Sequence, residues 1–143
     1  MEGSLLLRHR LTVRFRDCDP LGHVNHAVYL TYLEQARFIL WRAQLGFVVR
    51  TDQSEPGFIL ARAEVDYRAQ ARYGDELEVR LHLAGFGRTS FTYTYEIVDV
   101  STGTLVASAK TILVRFDYRE QKPVPLDEAV RGKLSTVVAG AQS

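Results

Sequence analysis

Cysteine is nearly missing from this chain: one in 143 residues, which excludes an intrachain disulfide and makes a reducing cytoplasm the expected compartment. Net charge is missing too. Eighteen basic against 17 acidic residues leave +1, so no global field draws the protein to nucleic acid or to a membrane surface. No apolar run approaches the ~20 residues of a membrane span. Leu5-Leu6-Leu7 is too short for a signal-peptide core and is followed by Arg8 and Arg10. Repeats, low-complexity tracts and linkers are absent, so residues 1–143 read as one domain, with a core over about 7–118 and a tail over 119–143. Two further absences concern chemistry. There is no Gly-x-Ser-x-Gly elbow, which argues against an α/β-hydrolase. No two histidines stand at a metal-ligand spacing with an acid nearby, so no metal is expected.

What is present is a regular order of elements. Residues 7–15 alternate, with Leu7, His9, Leu11, Val13 and Phe15 on one face and Arg8, Arg10, Thr12 and Arg14 on the other; that spacing predicts a half-buried strand. A helix is expected from about Ala27 to Leu45, stopped by Gly46. Its wide apolar face carries Tyr29, Tyr32, Leu33, Ala36, Ile39, Leu40 and Ala43, with Thr31, Glu34, Gln35 and Arg42 opposite. Residues 47–57 read as a loop. Four strand-like runs follow, Phe58–Ala71, Glu76–Ala84, Thr89–Val100 and Leu105–Tyr118, joined by short turns as in an antiparallel meander. A short amphipathic segment, Leu126–Leu134, precedes an end expected to fray. One strand, one long helix and four strands make an α+β plan, a sheet with a helix on one face.

The chemistry concentrates in Arg14-Phe-Arg-Asp-Cys-Asp-Pro-Leu-Gly-His-Val-Asn-His-Ala-Val-Tyr29. Asp19-Pro20-Leu21-Gly22 fits a type I turn, with Asp first, Pro setting φ at the second position and Gly closing. Asn25 reads as an N-cap whose amide oxygen takes the N–H of Ala27 or Val28. Other first-turn N–H groups, notably that of His26, are left unpaired at the positive end of the helix dipole. A carboxylate, a histidine and free backbone donors beside one helix start are the parts of an acyl-transfer site. Asp17 competes with Asp19, since strand alternation turns both the same way. Cys18 then points away from them into packing. His23 is assigned to the turn.

The same stretch, Asp-Cys-Asp-Pro-x-Gly-His-Val-Asn-His-x-x-Tyr-Leu followed by Glu34-Gln-Ala-Arg37, resembles the signature of hotdog-fold acyl-CoA thioesterases. The nearest groups are the 4-hydroxybenzoyl-CoA thioesterase type and the Tol-Pal-associated type. The resemblance implies a five-stranded antiparallel sheet wrapped around one long central helix, and hydrolysis of acyl-CoA without a cofactor. It implies that Asp19 is the catalytic carboxylate, as general base or as nucleophile, with the His26 N–H at the oxyanion. In the Tol-Pal-associated type the matching imidazole works with the Asp; in the other type that position is not His. Gly22 and Asn25 shape the turn and the cap, and Tyr29 begins the apolar face beside them. Glu34 and Arg37 are expected to pair or to bond the turn after the first strand, Glu34 being an alternative catalytic acid.

Gly85-Phe-Gly-Arg88-Thr-Ser90 joins two strands, and in the 4-hydroxybenzoyl type a similar Arg-x-Ser lies where CoA phosphates bind. Arg88, Thr89 and Ser90 are therefore candidate CoA contacts, the arginine through its bidentate fork. A hotdog hydratase or dehydratase, or a non-catalytic acyl-CoA-binding module, remain alternatives. A five-stranded sheet has an unpaired edge, and Phe91–Tyr95 is an uncharged run unlike a protected edge. A homodimer assembling further to a tetramer is expected, with Asp19 of one chain facing Arg88 or neighbouring strand residues of the other.

Overall fold

The computed structural model describes residues 3–46 and 55–138; most of the loop expected over 47–57 lies outside the described residues. The elements are β1 (Ser4–Thr12), α1 (Val28–Leu45), β2 (Gly57–Tyr67), β3 (Glu76–Phe86), β4 (Ser90–Asp99), β5 (Leu105–Asp117), β6 (Lys122–Pro123) and α2 (Glu128–Leu134). All pairings are antiparallel, in the order β1-β3-β4-β5-β2, with the two-residue β6 added to β5. The sheet thus has six strands rather than five, because the chain after β5 turns back to bond Phe116 and Asp117.

Strand order also corrects the expected edge. The uncharged run Phe91–Tyr95 is interior, paired with β3 and β5, and its aromatic side chains are buried. The edges are β1 and β2. β1 is displaced from the expected span: it starts at Ser4 and ends at Thr12. Phe15, expected on the buried face, is 78% exposed with its ring edge-on to Tyr73. The cause is a single 3-10 turn at Phe15–Asp17, which ends the period-2 alternation.

α1 lays one face on the sheet. Tyr29, Tyr32, Leu33, Ala36, Arg37, Leu40 and Trp41 are buried at helical spacing. Trp41 Nε1 donates to Tyr93 Oη at 2.8 Å, and its ring meets Phe58, Phe91 and Tyr93. Two residues depart from the sequence pattern: Ala43 is exposed, and Arg37 is buried rather than paired with Glu34, which is exposed. Gly46 ends the helix in the left-handed region at φ 62°, its N–H on Arg42 O.

The tail is docked, not frayed, as far as Val138. Leu126 and Leu134 are buried, the Val138 N–H bonds Leu6 O at 2.8 Å, and Gln44 Nε2 donates to Leu134 O and Thr136 O.

Candidate active site at the start of the long helix

The segment between β1 and α1 is fixed first by Asp17. Its buried carboxylate accepts the Arg14 N–H at 2.9 Å, the Arg14 guanidinium at 3.0 Å and the Tyr32 hydroxyl at 2.9 Å. Burial alone would raise this carboxyl; the three donors outweigh it and hold it below the ordinary value. Tyr32 is pushed up by burial and by its bond to Asp17, so it stays a neutral donor. The chain then forms the bridge Cys18–Val24, with the Asp17 O accepting the Asn25 N–H at 3.0 Å. Cys18 is half-buried and its thiol sits 3.8 Å from Arg14 O. Alternation therefore fails here. Asp17 points into the core, while Asp19 sits on the turn with its side chain 20% exposed.

The Asp19 turn closes as the residue types require. The Gly22 N–H bonds Asp19 O at 2.9 Å, Gly22 has φ +90°, and Asp19 Oδ1 accepts the Leu21 N–H at 2.9 Å. The other carboxylate oxygen lies 3.9 Å from His23 Nδ1. The helix start follows. Asn25 Oδ1 accepts the Ala27 N–H at 2.9 Å, and Asn25 O accepts the Val28 N–H at 2.9 Å, so Asn25 closes a turn before the helix. The N-cap is Ala27, which has no side-chain cap bond, and the expected Asn25 cap is corrected to that turn. The His26 N–H takes no hydrogen-bond partner among the described residues, and the imidazole is exposed. Tyr67, at the end of β2, donates to His26 O at 2.9 Å and stacks edge-on to Tyr29. Tyr29 itself is buried, which raises its phenol and keeps it neutral.

Asp19, Gly22, His23, Asn25, His26 and Tyr29 are thus gathered at one helix start. The imidazole nearest the carboxylate is His23, not His26. Tyr67 was not singled out from the sequence, where it reads only as the end of a strand run. Arg88, Thr89 and Ser90 lie elsewhere. Arg88 is exposed at the β3–β4 turn, which is held from behind: the Leu126 N–H bonds Arg88 O, the Arg131 guanidinium donates to Gly87 O at 2.7 Å and sits 5.1 Å over the Phe86 ring. The Thr89 O accepts the Arg115 N–H. Since Thr12 pairs with Glu76 and Ser4 with Leu83, the Asp19 segment leaves from one end of β3 and Arg88 follows the other. Eleven residues of strand separate those ends, about 35 Å at ~3.3 Å each.

A six-stranded antiparallel sheet carrying one long helix is an α+β fold of hotdog type, and at that helix's start stand a carboxylate and one backbone N–H without a partner among the described residues. The family model of the thioesterase-like superfamily matches residues 13–134, and the chain belongs to that superfamily; it is a thioesterase by family. It is 29% identical over 128 residues to the acyl-CoA thioester hydrolase YbgC of Escherichia coli O6:H1, covering 90% of this chain and 95% of that one. Over 122 residues it is 30% identical to the 1,4-dihydroxy-2-naphthoyl-CoA hydrolase of Synechococcus elongatus, covering 83% and 88%. Among solved structures, a thioesterase of Thermus thermophilus complexed with coenzyme A and Zn is 37% identical with a TM-score of 0.76, covering 92% of this chain and 98% of that one.

Proposed function

We propose that the protein hydrolyses acyl-CoA thioesters to a free acid and CoA, in the cytoplasm, with its sheet curled around α1. The observation that carries this reading is the conjunction at the helix start: a partly exposed Asp19 carboxylate and a His26 N–H with no partner among the described residues, held by the Asp19 turn and the Asn25 turn that follows it. The thioester carbonyl lies over the helix start, polarised by the His26 N–H and the dipole. Asp19 activates a water, or attacks to give an anhydride that water opens. One backbone oxyanion donor is worth on the order of 3 kcal/mol. A thiolate is a good leaving group, so one donor and one carboxylate suffice, and no cofactor takes part. The names of the YbgC and naphthoyl-CoA relatives support a CoA thioester as substrate.

The working unit is a homodimer, and pairs of dimers form a tetramer. β2 is an eleven-residue edge strand whose one strand partner among the described residues is β5, with Leu60 and Tyr67 exposed along it, an edge that natural proteins pair or cover. β2 runs from the end of the sheet holding Arg88 to the end holding His26, as the pairs Gly57–Phe116 and Ser90–Val114 and the Tyr67–His26 bond require. Two-fold antiparallel pairing of β2 with its copy sets the His26 end of one chain beside the Arg88 end of the other. Arg88, Thr89 and Ser90 then contact the CoA phosphates of the partner's substrate. The test is thiol release from an acyl-CoA panel by the protein and by Asp19→Asn. The substitution should lower kcat by at least ~10²-fold; near-normal turnover in the folded variant refutes the assignment of Asp19.

A further inference from the structure

Arg37 is an oddity of the core. It is 6% exposed in a helix face otherwise lined by apolar groups and tyrosines. Its one hydrogen bond runs from Nη1 to Tyr95 Oη at 3.3 Å, and Tyr95 Oη shares a 2.6 Å bond with Thr111 Oγ1. No acid pairs with it among the described residues. A guanidinium cannot shed its proton, and a buried charge without a counter-charge is costly. Among the described residues, the polar side-chain atoms sealed from solvent without a partner are Gln44 Oε1 and His82 Nδ1. The spare N–H groups of Arg37 are not among them, so water still reaches them through some opening beside the helix.

The surroundings locate that opening. Arg37 and Trp41 are one turn apart on the same flank of α1, and Trp41 meets Phe58 of β2, whereas Gln35 on the other flank bonds His9 of β1. Arg37 thus faces the β5–β2 side. Thr111 is paired with Ala63 of β2, so their side chains stand on the same face of the sheet. Ala63 is exposed and carries only a methyl, so within one chain β2 places no large side chain over Arg37 at this point, and in the homodimer proposed above this flank lies at the seam between the two copies. Arg37 is nine residues beyond Val28, or ~14 Å along the axis. Its side chain leans back toward the helix start by about one turn, ~5 Å.

We propose that Arg37, with Tyr95 and Thr111, is an acyl-recognition site for a substrate whose acyl chain ends in an ω-carboxylate. The acceptor sits ~8–14 Å from the thioester carbon. This rests on the thioesterase reading, since the thioester is placed at His26. Arg37 acts in binding and selectivity and takes no part in bond breaking.

The experiment compares octanoyl-CoA with suberyl-CoA, its ω-carboxy analogue, and decanoyl-CoA with sebacyl-CoA, the corresponding ten-carbon pair. Each is measured as kcat/KM and, separately, as binding by calorimetry to the Asp19→Asn protein. The native protein should prefer at least one acceptor-ended member of these pairs by about 10- to 100-fold, the range for a hydrogen bond to a charged group. Arg37→Met should bring that ratio near one, and Arg37→Lys should recover part of it. Turnover of both members of each pair without preference in the native protein overturns the proposal, whether or not Arg37→Met folds. Preference in binding without any turnover refutes thioester hydrolysis and leaves the recognition site standing. A changed oligomeric size in Arg37→Met, with each pair affected alike, means that the guanidinium meets an acid of a second copy, and the proposal falls.

Discussion

Asp17 and Asp19 are two residues apart, yet their substitutions should read out in opposite quantities. Asp17→Ala removes the acceptor of the buried Tyr32 hydroxyl and of the Arg14 backbone N–H. Stranding a buried hydroxyl costs about 1–3 kcal/mol, and losing the backbone bond costs about 1 more. The Arg14 side chain is exposed, so its guanidinium returns to water and adds nothing to the sum. The total is about 2–4 kcal/mol, a fall in Tm on the order of 10 °C for a domain of this size. Asp19→Asn keeps an acceptor for the Leu21 N–H, so its Tm should stay close to that of the native protein while its turnover collapses. Calorimetry and a thiol-release assay at about 20 °C on both variants make the comparison. An Asp17→Ala protein that is stable and inactive would refute the reasoning and move the chemistry to the buried carboxylate.

Three further outcomes are expected. His26→Ala retains the backbone N–H and should cost less kcat than Asp19→Asn; equal losses would assign a role to the imidazole. Arg88→Ala should raise KM for CoA thioesters more than for pantetheine thioesters, and mixing it with Asp19→Ala chains should restore part of the activity; a stable, active monomer by light scattering would overturn the shared site. His9 and His82 are buried and their pKa values are lowered from 6.5 by that burial. Above pH 6.5 both are neutral folded or unfolded; below it the unfolded chain takes up protons first, so Tm should fall between about pH 6.5 and 5. The lowered Asp17 carboxyl adds a loss only below its ordinary value of 3.8. A Tm unchanged from about pH 7.5 to 5.5 would mean that the histidines protonate in place.

The helix, its glycine stop and the Asp19 turn were legible because each is a local device: one residue type answers one backbone requirement. Asn25, expected as the N-cap, instead closes a turn two residues ahead of the N-cap at Ala27. Strand order was not. β1 and β2 take opposite edges through pairings between residues far apart in the chain, such as Arg8–Arg80 and Phe58–Arg115, and composition carries no record of which strand ends outermost. The uncharged Phe91–Tyr95 run reads as an unprotected edge until its neighbours are known, after which the same absence of charge reads as burial. Asp17 was misoriented because a three-residue 3-10 turn interrupts the alternation. Arg37 sits on a helical position that periodicity assigns to either face, and only Tyr95, 58 residues away, reveals which.

The turn bearing Arg88 is anchored by backbone and side-chain bonds from the last helix, while the Asp19 turn is anchored by its own residues and by β2 and Tyr32. On the proposed assignment of Arg88 to the carrier and Asp19 to the chemistry, the two tasks are mounted on separate supports. Under that assignment, substitutions around Arg131 and Leu126 would loosen or tighten the hold on the carrier while the reacting groups stay where they are, so two properties of one enzyme would be free to evolve at different rates.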